Sequence, residues 1–331
     1  MGSEYMSESE ATKRMEALRK YKETPVMPTI RPPPPARGMD FTVQEKWDID
    51  EKVVIGIAPM GTFINKDQNP NQPISVSELL REYEECIQLG AVSLHVHVRD
   101  DNGRPTSDIN YYRALIEPLR KKFGDRIVID GGTQTGKTFE EQVAPVTEGL
   151  FDMALVNAST GLLGDSIRCT PKEVMQAKAH FYMDCGTKPM IDIHDAGSVN
   201  NARRYLIDTG ILEKPYVWHL LPGLPGCFDI PNQMGLVKGL SFLTDLIMEI
   251  DDESIIMMSD TSRSTIYMPI LAMIMGHHVR IGMEDTIWRY PHKDDLIENN
   301  AEVVSSVIDV AKTLGRRPAT AQEYRRMVGI G

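Results

Sequence analysis

Ser93-Leu-His-Val-His-Val-Arg-Asp100 reads as a short strand whose polar face carries chemistry. Side chains alternate across a strand, so His95 and His97 share one face with Ser93 and Arg99, while Leu94, Val96 and Val98 share the other. Two imidazoles on one face are half of a metal site, since imidazole is the commonest metal ligand. Outward from this strand the same unit repeats. Short apolar or β-branched runs over Val53–Met60, Ser93–Val98, Arg126–Asp130, Met153–Asn157, Pro189–Ile193, Tyr216–Leu221, Ser254–Ser259 and His278–Met283 read as strands. Stretches of helical period follow each: Ser75–Leu89, Ser107–Phe123, Phe139–Glu148, Pro171–Cys185, Ser198–Thr209, Pro231–Glu249, Thr265–Met275 and Asn299–Leu314. Eight βα units at this length predict an α/β fold, a (β/α)8 TIM barrel, with a doubly wound parallel sheet as the competing architecture.

Residues 1–51 differ from the rest. A charged segment over Ser9–Glu23 leads into Pro32-Pro33-Pro34-Pro35, which favours polyproline II, so residues 1–51 read as an N-terminal arm and residues 52–331 as the catalytic barrel. The arm is expected to wrap a neighbouring subunit or to be partly disordered.

Composition narrows the function classes. A formal net charge of -11 over 331 residues argues against a nucleic-acid binder, which would carry a basic surface. No apolar run reaches the length of a membrane span, and the N-terminus has neither an apolar signal-peptide core nor the Ser or Thr that myristoylation wants at position 6, where Met stands. Cys86, Cys169, Cys185 and Cys227 are scattered, with no Cys-x-x-Cys pair, and read as free thiols of a reducing, cytoplasmic compartment.

Active sites of (β/α)8 barrels lie at the C-terminal ends of the strands, and here the polar residues gather there. His95, His97 and Arg99 close the second strand, Asp130 the third and Asn157 the fourth; Asp192 and His194 close the fifth, and His219 lies late in the sixth. Asp260 follows the seventh; Glu284 and Asp285 follow the eighth. The second and eighth strands flank the first and contribute to one interior layer, so Glu284 can reach the space near His95 and His97. Two His, one Glu and an open position suit catalytic zinc; the same set describes a facial triad for non-haem Fe(II).

These residues resemble the β-keto acid cleavage enzymes, a family of the 3-keto-5-aminohexanoate cleavage type. The resemblance runs from Val53 to Gly331. It rests on His95-Val-His-Val-Arg-Asp100 with Gly103-Arg-Pro-Thr106, on Gly276-His-His-Val-Arg-Ile-Gly-Met-Glu-Asp285, and on Leu314-Gly-Arg-Arg-Pro-Ala-Thr-Ala-Gln-Glu323. It implies a metal-dependent enzyme that condenses a β-keto acid with acetyl-CoA and releases acetoacetate and an acyl-CoA by a retro-Claisen step. By position it implies His95, His97 and Glu284 as ligands of Zn2+ or another divalent metal, Asp285 as the base and Arg280 as its charged partner. It also implies a homo-oligomer, with a tetramer as one arrangement. Arg263 matches a family position that could bind a carboxylate or a coenzyme phosphate, and Asn157 is grouped with the substrate-binding residues.

The departures concern the substrate. Phe63 stands where the amino-substrate enzyme carries a Glu that meets the substrate ammonium, so the substrate is expected to be neutral or anionic. Gly132-Thr-Gln-Thr135 replaces Ser-Thr-Gly-Gly, keeping Thr133 and losing a hydroxyl at Gly132.

Two other readings stay open. Gly131-Gly-Thr-Gln-Thr-Gly-Lys-Thr138 fits the P-loop pattern between a strand and a helix, which would mean a nucleotide-binding enzyme. Loss of catalysis would leave a metal-binding barrel with a structural or sensing role.

Overall fold

The computed structural model describes residues 7–24, 41–163 and 166–331. These divide between Asp48 and Ile49 into two compact units. In the first unit the helix Glu8–Tyr21 begins on a reciprocal cap: Ser7 Oγ accepts from the Glu10 N–H, and the Glu10 carboxylate accepts from the Ser7 N–H. The proline run Pro32–Pro35 lies outside the described residues.

The second unit is the barrel. Its eight parallel strands are Ile55–Ile57, Ser93–Val96, Val128–Gly131, Met153–Asn157, Lys188–Ile193, Val217–Leu220, Ile255–Ser259 and His278–Ile281, called first to eighth below. The ring closes where the first strand pairs with the eighth, with Ile55 beside Val279 and Ile57 beside Ile281. A doubly wound sheet would leave two edge strands, so this closure excludes it. Helices follow in turn: Val76–Leu89, Ile109–Phe123, Phe139–Thr147, Lys172–Asp184, Ala196–Ala202, Gln233–Met248, Tyr267–Ile274 and Asn300–Thr313.

Differences from the expected elements have local causes. Lys52–Val53 leaves the line of the first strand to pair with Arg317–Pro318. The helix after the fifth strand starts early because Asp195 caps the Ser198 N–H, and it runs on into a π-helical turn over Arg203–Ile207. A short hairpin, Gly161–Leu163 with Ser166–Arg168, follows the fourth strand. A further helix, Ala321–Val328, opens on a Thr320/Glu323 capping box.

That last helix makes the floor of the barrel. Ala321, Tyr324 and Val328 pack with Val54, Val92, Val128, Met153, Met190, Val217 and Met257, all buried. The opposite half of the barrel interior is polar, so its charged groups rest on a sealed apolar layer. Arg316 fastens the floor segment: its guanidinium donates to the carbonyls of Asp50 at 2.9 Å, Lys52 at 2.7 Å, Met273 at 3.1 Å, Gly276 at 3.2 Å and His277 at 2.9 Å. This gives the closing Leu314–Glu323 motif a physical role, since one planar donor satisfies carbonyls from two distant segments. Among the described residues no helix is long and apolar enough to cross a membrane.

Arg316→Lys keeps the charge and loses the fork, and is expected to lower the unfolding free energy by about 2 kcal/mol. Arg317→Lys, whose pairing with Glu323 is exposed, is expected to cost less. Urea unfolding followed by circular dichroism compares the two.

Candidate active site

Register assembles the site. In the closed barrel His95 lies beside Asp130, Asn157 beside Asp192, Asp192 beside His219, and Ser259 beside Arg280. Each side chain therefore meets its partner across one strand spacing. Of these, His95, Asp192, His219 and Arg280 line a cavity of about 150 Å³ together with Glu284 and Asp285 from the turn after the eighth strand and with His97, His194 and Arg168.

His95 Nδ1 donates to Asp130 Oδ1 at 2.5 Å, which turns the Nε2 lone pair inward. His95 Nε2 and His97 Nε2 are 3.2 Å apart, and each lies 3.6 Å from Glu284 Oε1. Bonds of about 2.0 to 2.1 Å at tetrahedral angles would place ligand atoms about 3.3 to 3.4 Å apart, so this triangle has the size of a tetrahedral face. The donor chemistry fits as well. Burial, followed by Arg280 and His219, holds the His95 imidazole neutral, and burial, followed by His95, does so for His97. Burial penalises the Glu284 carboxylate, with Arg280 opposing, and Glu284 Oε2 is a buried acceptor with no hydrogen-bond partner among the described residues. A carboxyl that burial pushes toward its protonated form, facing two neutral imidazoles, is a set that a divalent cation would satisfy by taking the place of the proton.

Two glycines make room for that triangle. A Cβ on Gly61 would stand 2.4 Å from Glu284 Cγ, and one on Gly132 would stand 2.9 Å from His97 Cε1.

A second chain of hydrogen bonds positions Arg280. Its Nη2 donates to Asp285 Oδ2 at 2.9 Å and its Nε donates to Ser259 Oγ at 2.6 Å. An arginine only donates, so the Ser259 proton goes the other way, to His219 Nε2 at 2.7 Å. His219 must then carry its proton on Nδ1 and donate it to Asp192 Oδ1 at 2.7 Å. Burial, followed by Arg280, takes His219 down to about 4, in keeping with this neutral tautomer. Burial opposes charge on His194, yet Asp192 outweighs it and raises the group to about 10. Ser259, His219 and Asp192 have the order of a nucleophilic triad, but Ser259 is fully buried, lies outside the cavity lining and already receives Arg280. It is a positioning residue.

The sequence model of the β-keto acid cleavage enzymes matches residues 52–330. The chain belongs to this family. It is 32% identical over 282 residues to the 3-keto-5-aminohexanoate cleavage enzyme of Fusobacterium nucleatum, spanning 85% of this chain and 98% of that protein. It is 22% identical over 282 residues to the 3-oxoadipate:acetyl-CoA acetyltransferase of Cupriavidus necator, spanning 84% and 94%. Among solved structures, apo ObcA superposes with a TM-score of 0.68 at 17% identity, over 79% of this chain and 66% of that one, a likeness of fold.

Within this family member the residues singled out from sequence fall into three groups. His95, His97, Glu284, Asp285 and Arg280 meet in one cavity, with Gly132 in its wall. Phe63 stands half exposed where that cavity joins two larger spaces. Thr133, Asn157 and Arg263 lie outside that cavity's lining, with Asn157 in the wall of one of the larger spaces and Arg263 in the wall of the other. Thr133 Oγ1 bonds Tyr182 and accepts from Lys178 at 3.2 Å; Asn157 Nδ2 donates to Asp192 Oδ2 at 2.7 Å. Arg263 lies over the Trp288 ring, 3.5 Å from its centroid, and donates to the Lys293 carbonyl and Asp294 at the exposed mouth. In the P-loop-like segment the Lys137 and Thr138 amides, which would have to cradle a phosphate, donate to Glu141 Oε2 at 2.6 and 3.2 Å. The nucleotide reading therefore has no support.

Gly61, Ser259 and Arg168 were not singled out from sequence. Ser259 ends the seventh strand next to Asp260 and carried a positional signal; Gly61 acts through its contact with Glu284, distant in the chain, and Arg168 stands on a hairpin that no periodicity marks.

Gly61→Ala and Asp130→Asn are each expected to weaken the affinity of this triangle for a divalent cation about 10- to 100-fold, the first by displacing Glu284 and the second by freeing the His95 tautomer. Competition against a chromophoric chelator measures both.

Proposed function

We propose that the enzyme condenses a β-keto acid with acetyl-CoA, with zinc held by His95, His97 and Glu284, and releases acetoacetate and a new acyl-CoA. The observation that carries this reading is the ligand triangle of His95, His97 and Glu284 with Asp285, fixed by Arg280, at its side. Zinc, when bound, supplies a Lewis acid that polarises oxygens of the substrate.

Asp285 accepts the proton from the carbon between the keto and carboxylate groups. Its orientation is set by Arg280 Nη2, and Arg280 Nη1, a buried donor with no partner among the described residues, is left for the negative charge that develops on substrate oxygen. The carbanion carbon bonds to the acetyl carbonyl and expels the coenzyme thiolate. The thiolate then attacks the substrate's original keto carbon, the carbon–carbon bond beside it breaks, and acetoacetate leaves with the proton returned by Asp285. Every bond formed balances one broken, and no serine or cysteine nucleophile enters.

The substrate tail is neutral or anionic. Phe63 presents an apolar edge where an ammonium would need a carboxylate, and Asp192 in the cavity wall is already neutralised by His194 and bonded by His219 and Asn157.

Proton exchange at the α-carbon of a β-keto acid in D2O, followed by NMR without acetyl-CoA, tests the first step. Asp285→Asn is expected to slow exchange at least about 100-fold while one zinc per chain is retained. Exchange at the wild-type rate in that variant would sink the assignment.

A further inference from the structure

The site cavity adjoins a second space of about 530 Å³, and the two share Phe63, Gln134, Leu163 and Arg168 in their walls. In a chain of formal net charge -11 this second space has three cations in its lining, Lys137, Lys178 and Arg168, and no carboxylate among the described residues. Lys178 is occupied, its Nζ donating to the Thr133 carbonyl and hydroxyl. Lys137 is exposed at the outer side.

Arg168 differs from both. It ends the hairpin after the fourth strand, is half-buried, and its guanidinium makes no hydrogen bond or ion pair among the described residues. The carboxylates that act on it through space have their own partners: Asp192 is bonded by His219 and Asn157, and Asp285 by Arg280. A guanidinium offers a planar fork of donors whose match is a carboxylate. This one stands where the tail of a substrate chelated at the His95, His97 and Glu284 triangle would pass into the second space.

We propose that Arg168 binds a terminal carboxylate on the substrate tail, so that the enzyme selects β-keto dicarboxylic acids. The proposal rests on the β-keto acid reading above and narrows its substrate class. A coenzyme phosphate is the other anion at hand, but the phosphates are a whole pantetheine arm away from the thioester, whereas Arg168 borders the same cavity as Asp285. The thioester arm also has a space of about 520 Å³ to take, lined by Leu224, Ile287, Trp288 and Asp285, whose wall does not include Arg168.

The test compares a six-carbon 3-oxo dicarboxylic acid with the six-carbon 3-oxo monocarboxylic acid, each with acetyl-CoA and the zinc-loaded protein. The wild type is expected to favour the dicarboxylic acid at least about 10-fold in kcat/KM, and R168Q is expected to bring that ratio close to one, chiefly through KM for the dicarboxylic acid. R168K, which keeps the charge without the fork, is expected to give an intermediate ratio, and decides the matter if R168Q does not fold. A ratio that neither variant changes overturns the proposal. So does an equal loss with both acids, the mark of a structural role, and so does a rise in KM for acetyl-CoA alone, the mark of a phosphate site. Turnover of neither acid by the wild type would defeat the reaction assigned above while leaving this proposal to calorimetry. Tighter binding of the dicarboxylic acid that R168Q abolishes would sustain it, and equal binding of the two acids would overturn it.

Discussion

When Ile55–Ile57 pairs with His278–Ile281, two ends of the barrel unit separated by more than two hundred residues become neighbours. The triangle of His95, His97 and Glu284 depends on that pairing. It sets Gly61, just past the first strand, against Glu284, just past the eighth, with no space for a methyl group between them. It also fixes how far Glu284 stands from His95 and His97 on the second strand. The backbone bonds that continue it, Ala58 N–H to the Ile281 carbonyl at 2.8 Å and Glu284 N–H to the Ala58 carbonyl at 3.0 Å, hold the carboxylate by its main chain. A side chain alone would have several rotamers; a main-chain clamp removes most of that freedom before any ligand arrives.

The charges inside are arranged as two sets that divide the work. One set, Asp130 with His95, settles where a lone pair points. The other, from Asp192 through His219 and Ser259 to Arg280, settles where a cation points. Both are built from groups that carry a definite number of protons, so the direction of each hydrogen bond follows from the one before it, starting from an arginine that can only donate. Such a buried network is rigid because nearly all its donors and acceptors are paired, and Arg280 Nη1, without a hydrogen-bond partner among the described residues, marks where a substrate oxygen would be received.

Much of this was legible in the sequence, for reasons that can be traced. The eight strands were visible because each is a short apolar run buried on both faces, and their helices because each keeps a helical period; the structure adds the caps, Ser75, Thr138 and Asn299 among them. His95, His97 and Glu284 could be placed together because barrel geometry relates the second and eighth strands. The Ala321–Val328 helix announced itself only by Thr320 and Glu323, within a stretch read as a family marker. The hairpin bearing Arg168 has Leu162 and Ile167 exposed, so no alternation of apolar and polar residues betrays it. The role of Glu141 was invisible for another reason: a short motif names the residues of a phosphate cradle but says nothing of a neighbouring carboxylate already seated in it.

The floor of the barrel has a consequence for the order of assembly. Tyr324 and its neighbours seal a ring whose members begin at Val54, and Arg316 ties that seal to carbonyls at Asp50 and Lys52. As the chain is synthesised, the strands therefore emerge long before the helix that closes them, and the first strand waits for the eighth before it gains its second neighbour. Contacts so far apart in sequence form slowly, because the intervening loop must close before they reward it. Until then the Val and Met side chains of the floor stay open to water, which makes the nascent barrel a natural client for chaperones that hold apolar surface.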